Sequence, residues 1–222
     1  MSDEAATLGG DGPLPAGVQR RSFTGHEESQ LATRGEPVYG EATADGWRAW
    51  DPHRSKLAAT VAAGLDTGIA AGDTVLYLGA ANGTTVSHVA DVAGRTYAVE
   101  FAARPVRDLL DACESRPRLF PLVKDAREPA TYAHVVEADV DAIVQDVATR
   151  GQAAVAVRNA QFLADDGRLV LAVKARSEDV TAEPEAVFAE VRETLAEAYE
   201  IRAEARLEPF HDAHLAVVAT PK

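Results

Sequence analysis

The chain has 222 residues, of which 46% are hydrophobic, and it carries a formal net charge of −13. This apolar content excludes a wholly disordered chain, and no run approaches the roughly 18 apolar residues of a membrane-spanning helix. The single cysteine, Cys113, excludes an internal disulfide, and with an acidic N-terminus unlike a signal peptide it predicts a cytoplasmic protein with no membrane association.

The acidity of the chain has two interpretations. A negative surface suits an enzyme that acts on a small or cationic substrate, and it disfavours binding of nucleic-acid phosphates. The alternative is a protein from a halophile, whose surface is acidic whatever its function. The balance of 4 Lys to 18 Arg, against 35 Asp and Glu, favours the halophile. In molar salt the Debye length falls to about 3 Å, so repulsion of a nucleic acid is strongly screened.

The first 52 residues are predicted to form a tail and a small β subdomain. Residues 1–18 are rich in Gly, Pro, Ala and acidic residues, which is typical of a mobile tail or a loosely paired segment. Short stretches from 19 to about 39 favour strands and turns over helices. Residues 40–52 are interpreted as a linker. A helix is predicted from Ser55 to Leu65, with Ser55 as its N-cap.

The rest of the chain, residues 53–222, is predicted to form the main domain, because strands and helices alternate along it. Strands that are apolar throughout are typical of a parallel sheet covered on both faces. Two strands joined by a short turn predict an antiparallel hairpin at the C-terminus. The fold class is therefore α/β, a Rossmann-like sheet with helices on both faces and this hairpin. The predicted strands are 74–80, 96–102, 118–125, 140–147, 168–175, 200–209 and 214–221, and the predicted helices are 84–93, 105–115, 150–164 and 184–199.

A loop of small residues, GAANG at positions 79–83, joins the first core strand to the next helix. Small side chains let the backbone approach a ligand closely. Glu100 ends the next strand, where a carboxylate can accept both hydroxyls of a ribose, and Asp125 ends the following strand, within reach of an adenine amino group. The loop alone is a weak signal and also suits NAD. The loop contains Gly79 and Gly83 but not the third glycine of a pyrophosphate-binding site. This favours S-adenosylmethionine, a cofactor without phosphates.

Four more polar residues stand at the ends of predicted elements. Asp146 and Lys174 follow apolar strands, Lys56 begins the first helix and His214 opens the last strand. Each has an ordinary interpretation, because a lysine at a strand end usually reaches solvent and an aspartate often caps a helix. Strand ends of this fold converge on one crevice, and the chain otherwise avoids lysine. Taken with the cofactor loop, the four residues favour a catalytic site.

Several stretches of the sequence resemble the archaeal fibrillarins. The most specific is GTTVSHV, within GAANGTTVSHVAD at 79–91, and the resemblance runs from about residue 18 to the C-terminus. The other matching stretches are LAT at 31–33, VYGE at 38–41, WDPHRSKL at 50–57, VEF at 99–101, QDVA at 145–148 and KARS at 174–177. The resemblance implies a methyltransferase that uses S-adenosylmethionine, without a metal ion, to methylate ribose 2′-hydroxyls in RNA.

The resemblance also implies roles for particular residues. The implied catalytic set is Lys56, Asp146, Lys174 and His214. The predicted cofactor contacts are Gly79, Thr84, Thr85, Glu100, Phe101, Asp125, Ala126, Asp146, Val147, Ala148 and Thr149. The chain departs from the family at Thr149, where glutamine is usual, and near the C-terminus, where FHDAHL at 210–215 replaces an Asp-His-Ala sequence. Either His211 or His214 is therefore the histidine of the set, and the spacing to the last strand favours His214.

A ribose hydroxyl reacts only after its proton is removed or polarised, and a lysine in a buried or cationic environment can accept that proton. This role falls to Lys174, while Asp146 orients the hydroxyl, Lys56 holds the ribose or its phosphate and His214 supports the network. The resemblance implies as partners a box C/D guide RNA paired with substrate RNA, a scaffold protein and a kink-turn-binding ribosomal-type protein. The alternatives left open are a small-molecule methyltransferase, an NAD-dependent oxidoreductase and an idle subunit of a ribonucleoprotein.

Overall fold

The structure, a computed structural model, describes residues 14–136 and 138–222, so most of the predicted tail lies outside it. In the described part, eleven strands form two sheets, and six α-helices accompany them. The strands are β1 (Gln19–Arg21), β2 (Gln30–Arg34), β3 (Thr43–Ala44), β4 (Trp47–Ala49), β5 (Thr74–Leu78), β6 (Arg95–Val99), β7 (Leu119–Leu122), β8 (Val140–Gln145), β9 (Leu163–Lys174), β10 (Tyr199–Arg206) and β11 (His214–Pro221). The helices are α1 (Lys56–Ala62), α2 (Thr84–Val92), α3 (Ala103–Glu114), α4 (Gln152–Asn159), α5 (Ala175–Glu178) and α6 (Pro184–Leu195).

The large sheet has seven strands in the order β10-β11-β9-β8-β5-β6-β7. Strands β5 to β9 run parallel, and β11 is antiparallel to both β9 and β10. This arrangement confirms the predicted α/β sheet and the C-terminal hairpin. Because β5 pairs with both β6 and β8, the chain order reverses there, and ligands of open α/β sheets bind in the crevice at this point. Among the described helices, none has the length and apolar composition needed to cross a bilayer.

The core strands are apolar throughout because both faces of the sheet are covered. On β5, Leu76 and Leu78 lie in the same buried cluster as Phe188 of α6. The alternate residues Val75 and Tyr77 lie in a second cluster on the opposite face, formed with α1, α2 and α3. Successive side chains of a strand point to opposite faces of the sheet, so apolar residues of β5 pack against the helices on both faces.

The predicted helix over 150–164 is wrong at its C-terminal end. α4 ends at Asn159, a short 3₁₀ turn follows, and β9 begins at Leu163 rather than at residue 168. The buried Asn159 amide donates to the carbonyl of Ala126, and Leu163 pairs with Val140 of β8. These long-range contacts override the local helical pattern of an alanine-rich segment.

The predicted linker over 40–52 is also wrong, because part of it forms a hairpin. β3 and β4 pair through a two-residue turn at Asp45 and Gly46, whose φ angles are 53° and 76°. An Asp-Gly pair is the sequence typical of this turn, since both central residues need positive φ. Together with β1 and β2, these strands form a four-stranded antiparallel sheet. The division into units 1–52 and 53–222 stays a prediction.

A buried ionic network fastens the small sheet to α2. Arg48 on β4 is fully buried, donates to Ser87 and pairs with the carboxylates of Glu41 and Asp91. Arg116 donates to the same Asp91 carboxylate at 2.9 Å. Burial in low dielectric makes each of these charges depend on its partners, because an unpaired buried ion is very costly.

Replacing Arg48 with alanine should therefore lower the free energy of unfolding by about 3–5 kcal/mol, because the buried Glu41 carboxylate loses its cationic partner and Asp91 keeps only Arg116. Urea unfolding at constant salt would measure this change. The control is Arg192→Ala, which breaks an exposed pair with Glu204 and should cost less than about 1 kcal/mol. Equal losses in the two variants would contradict the role of the buried network.

Candidate active site at the carboxyl edge of the sheet

A cavity of about 290 Å³ lies at the carboxyl ends of the parallel strands. Nine of the eleven predicted cofactor contacts line it: Gly79, Glu100, Phe101, Asp125, Ala126, Asp146, Val147, Ala148 and Thr149. Five further residues complete the wall: Ala81, Val99, Lys124, Arg127 and Val155. Sequence reasoning missed these five, although the first four lie within two residues of a predicted contact. The cavity lies at the β5–β6–β8 crevice, where this sheet order predicts a ligand.

Gly79 lets two strand ends approach each other at the base of the cavity. Its φ is +86°, and its N–H donates to the carbonyl of Val99 at 2.9 Å. A Cβ at this position would lie 2.3 Å from the carbonyl oxygen of Asp146, which is far closer than van der Waals contact. Only glycine combines this left-handed backbone with such a close approach.

Glu100 is a buried carboxylate held rigidly by backbone donors. One oxygen accepts from the N–H of Ala81 at 2.9 Å, and the other accepts from the N–H of Ala102 at 2.8 Å. Each carboxylate oxygen has more than one lone pair, so both can accept a further hydrogen bond. The pair of oxygens thus presents two fixed acceptors at the cavity wall, which suits a ribose diol.

Asp125 follows β7, the strand next to β6, and lines the cavity. The guanidinium of Arg127 donates to both of its oxygens, at 3.0 and 2.6 Å. These hydrogen bonds hold the pKa of Asp125 below its ordinary value, so the group is an anion at neutral pH. The same guanidinium lies 5.9 Å from the ring centre of Phe101. Asp125 and Phe101 therefore form a partly exposed rim that has both an acceptor and an aromatic face.

Thr84 and Thr85 do not belong to the residues that line the cavity. The hydroxyl of Thr84 donates to the side chain of Asn82, at 2.9 Å. The hydroxyl of Thr85 lies 3.1 Å from that of Ser55, which caps α1 as predicted by accepting from the N–H of Ala58. Thr85 thus supports the start of the helix whose first residue is Lys56.

Lys56 forms an ion pair with Asp146, which lines the cavity. The Lys56 Nζ lies 2.9 Å from the Asp146 carboxylate, and each side chain is about one quarter exposed, at 24% and 23%. Asp146 follows β8, and its own N–H donates to the carbonyl of Leu78, the last residue of β5. Two residues separated by 90 positions in the chain are therefore brought together at the switch point of the sheet.

Lys174 and His214 are direct neighbours across the β9–β11 ladder. The side chain of Gln152 holds the Lys174 backbone by two hydrogen bonds, one to its N–H and one to its carbonyl. Within 14–136 and 138–222, no carboxylate forms an ion pair with the Lys174 ammonium. The sheet therefore brings Lys174 to the same edge as Asp146, because β8 and β9 are adjacent parallel strands.

The two histidines near the C-terminus, His211 and His214, both lie close enough to Lys56 and Asp146 to interact with their charges. His214 Nδ1 lies 2.7 Å from the carbonyl of Asp212, which can only accept, so Nδ1 carries the proton and Nε2 carries a lone pair. That Nε2 is buried and has no hydrogen-bond partner in the described structure. Burial and the charge of Lys56 lower the pKa of His214, so the ring is neutral near pH 7. His211 lies 5.5 Å away between ring centres, and its pKa is lowered by the same two causes.

The sheet order and the cavity together define the class of the protein: it is a methyltransferase with a Rossmann-like sheet. Five parallel strands, a terminal antiparallel hairpin and a carboxylate at the end of β6 are the features that place it there. The chain belongs to the fibrillarin family, which it matches over residues 21–222. This membership confirms the resemblance drawn from the GTTVSHV stretch.

Individual relatives agree with this membership. The chain is 73% identical to the fibrillarin-like rRNA/tRNA 2′-O-methyltransferase of Halobacterium salinarum, a halophile, over 94% of this chain and 99% of that protein. An Aeropyrum pernix fibrillarin solved with natively bound S-adenosyl-L-methionine has a TM-score of 0.79 and 39% identity, covering 91% of this chain and all of that one. A fibrillarin in complex with Nop5p has a TM-score of 0.84 and 38% identity, over 94% and 99% of the two chains.

Proposed function

We propose that this protein transfers a methyl group from S-adenosylmethionine to ribose 2′-hydroxyls of rRNA and tRNA, within a box C/D ribonucleoprotein. The observation that supports this most directly is the position of Asp146, which lines the cofactor cavity and also pairs with Lys56 at 2.9 Å. One carboxylate thereby connects the cavity with the amine of Lys56. The relatives indicate the reaction and the cofactor, and the site contains residues that suit both.

The described residues of the cavity suit the cofactor. The fixed oxygens of Glu100 can accept from the ribose hydroxyls, and the apolar side chains of Val99, Phe101 and Ala126 can enclose a base. Asp125 can accept from an exocyclic amine. When bound, S-adenosylmethionine would supply an electrophilic methyl group: the 2′-oxygen would bond to the methyl carbon as the carbon–sulfur bond breaks in line with it, the thioether product would leave, and the hydroxyl proton would pass to a base.

Replacing Glu100 with alanine should weaken cofactor binding about 10- to 100-fold, because two hydrogen bonds to a charged acceptor are lost. Isothermal titration calorimetry with S-adenosylmethionine measures the effect. Glu100→Gln is the matched comparison, because the amide keeps one acceptor and should retain part of the affinity. An unchanged Kd in the alanine variant would show that the ribose lies elsewhere.

The residues beside the cavity can hold and activate the RNA hydroxyl. In this scheme Asp146 accepts the hydrogen bond of the 2′-hydroxyl, and Lys56 holds the ribose or the neighbouring phosphate. Lys174, which has no carboxylate partner among the described residues, is the proposed proton acceptor in its neutral amine form, and neutral His214 presents a free Nε2 lone pair beside it. Holding oxygen and methyl donor in line can contribute a large part of the rate, since positioning can supply roughly 7–11 kcal/mol.

The charge of the chain supports dependence on partners. A net charge of −13 gives no general electrostatic attraction to RNA, so affinity and target choice must come from elsewhere. We propose that a scaffold protein like Nop5p carries the enzyme, as in the complex of the related fibrillarin. A box C/D guide RNA would pair with the substrate, and a kink-turn-binding ribosomal-type protein would hold that guide.

Reconstitution tests the proposed function. The purified chain should bind S-adenosylmethionine but methylate free RNA poorly, and addition of guide RNA, scaffold and kink-turn protein in high KCl should give methylation at the guide-paired nucleotide. Transfer of tritiated methyl groups, followed by mapping of the methylated ribose, measures both. Efficient, site-specific methylation by the chain alone would contradict the dependence on partners. Binding of NAD in preference to S-adenosylmethionine, or an inactive complete particle, would contradict the activity.

A further inference from the structure

A second histidine, His211, links two parts of the site that the catalytic set does not itself connect. It lies in the turn between β10 and β11, which begins after Arg206 and ends at His214. The turn is closed locally, since the N–H groups of Phe210 and His211 both donate to the carbonyl of Leu207 at 2.9 Å. The turn leads directly into β11, whose first residue, His214, pairs with Lys174 of β9.

This turn packs against the segment that precedes Lys56. His211 Nε2 lies 2.8 Å from the carbonyl oxygen of Pro52, which can only accept, so Nε2 is the protonated nitrogen. Next to it, the Phe210 ring meets the His53 ring edge-on, with centres 5.0 Å apart. Three residues after Pro52, Ser55 caps α1, and Lys56 is the first residue of that helix.

The contact therefore joins the two segments that carry the proposed catalytic residues Lys56 and His214. Lys56 reaches Asp146 at 2.9 Å from the start of α1, and His214 lies beside Lys174 at the start of β11. His211 supplies a side-chain hydrogen bond from the 207–213 turn to the Pro52 carbonyl of the 51–55 segment. A shift of about 1 Å in a catalytic group can cost 100-fold in rate, so such a contact matters even without touching substrate.

We propose that His211 is a positioning residue, which holds the start of α1 against the start of β11 so that Lys56 and His214 face Asp146 together. The inference rests on the proposed function, because methyl transfer is the step that it affects. His211 acts through Lys56 and not on the cofactor, since it is absent from the cavity wall.

Kinetics of the reconstituted particle test the role. His211→Ala should lower kcat about tenfold, with the Kd for S-adenosylmethionine unchanged, because the loss is one of alignment. His211→Gln keeps an N–H donor at similar reach and should recover most of kcat. His26→Ala is the control, because His26 is an exposed histidine outside the site and should match the parent protein. Unchanged kcat in His211→Ala would overturn the proposal.

A double-mutant cycle shows whether the effect passes through Lys56. In a Lys56→Ala background, His211→Ala should have little further effect on single-turnover rates, because the group it positions is gone. A full tenfold loss in that background would show an independent role and would overturn the proposal. The proposal would also be overturned if His211→Ala lowered kcat, cofactor affinity and melting temperature equally and His211→Gln restored none of them. That result would indicate a purely structural role.

Crystal structures of the variants provide a readout that does not need activity. The Lys56–Asp146 ion pair should persist in His211→Gln and separate in His211→Ala. If the complete wild-type particle were inactive, the proposed function would fail while this measurement still decided the positioning role. An intact Lys56–Asp146 pair in a folded His211→Ala protein would overturn it.

Discussion

Replacing Asp146 with asparagine should lower methyl transfer by the reconstituted particle about 10²- to 10⁴-fold, the range typical for loss of a group that assists proton transfer. The carboxylate is the acceptor for the 2′-hydroxyl in the proposed mechanism, and it is also the partner of Lys56. An amide of the same shape leaves the backbone bond from Asp146 to Leu78 in place. The Kd for S-adenosylmethionine should therefore change less than about threefold, which is below 1 kcal/mol.

Single-turnover assays with saturating cofactor measure this loss directly. Asp166→Asn serves as the control, because Asp166 is an exposed carboxylate on β9 and its substitution removes the same charge. Lys174→Ala should give a loss of similar size if that lysine takes the proton. Full activity in both Asp146→Asn and Lys174→Ala, with normal cofactor binding, would show that the catalytic set is assigned wrongly.

The Gly79→Ala variant should lose cofactor binding, with a Kd roughly 100-fold higher, and should be less stable than the parent protein. The added Cβ would meet the carbonyl oxygen of Asp146 at 2.3 Å, so the end of β8 must move. That movement displaces the Asp146 carboxylate and narrows the cavity that both residues line. Calorimetry with S-adenosylmethionine and urea unfolding measure the two effects.

Gly25→Ala is a closely matched control for this variant. Gly25 has a φ of +87°, against +86° at Gly79, and a Cβ there would meet nothing within 4 Å. It should show only the conformational cost of a left-handed alanine, about 1–2 kcal/mol, and normal cofactor affinity. Equal behaviour of the two variants would mean that backbone strain, and not the clash with Asp146, explains the loss.

Local sequence patterns predicted most of the sheet, and the resemblance to the fibrillarins predicted most of the cavity wall. Apolar runs along β5, β6 and β8 predicted buried parallel strands, and the carboxylates after β6 and β8, Glu100 and Asp146, predicted the site. The same local reasoning failed at residues 160–167, where helix-forming residues continue into β9. It also missed the hairpin at Asp45 and Gly46, although the turn sequence was present. Strand pairing and tertiary hydrogen bonds determine the structure of residues 160–167. The hairpin follows from the positive φ angles that its Asp-Gly turn adopts.

The environment of each site residue could not be read from the sequence. Two backbone N–H groups hold Glu100, and Arg127 holds Asp125, but the motif contains no indication of either contact. Thr85 lies in the most specific stretch of the chain, yet its hydroxyl contacts Ser55 instead of lining the cavity. The direction of a side chain depends on its packing partners, which the residue type does not specify.

The sequence by itself determined the alternation of strands and helices, the small-residue loop at 79–83 and the family, because these features lie within short segments whose period and composition are local. Only the tertiary structure decided that Lys56 meets Asp146, that Lys174 pairs with His214 and that His211 bonds to Pro52. The partners in these contacts are 40 to 159 positions apart. Their approach follows from strand order and layer packing, which no local pattern encodes.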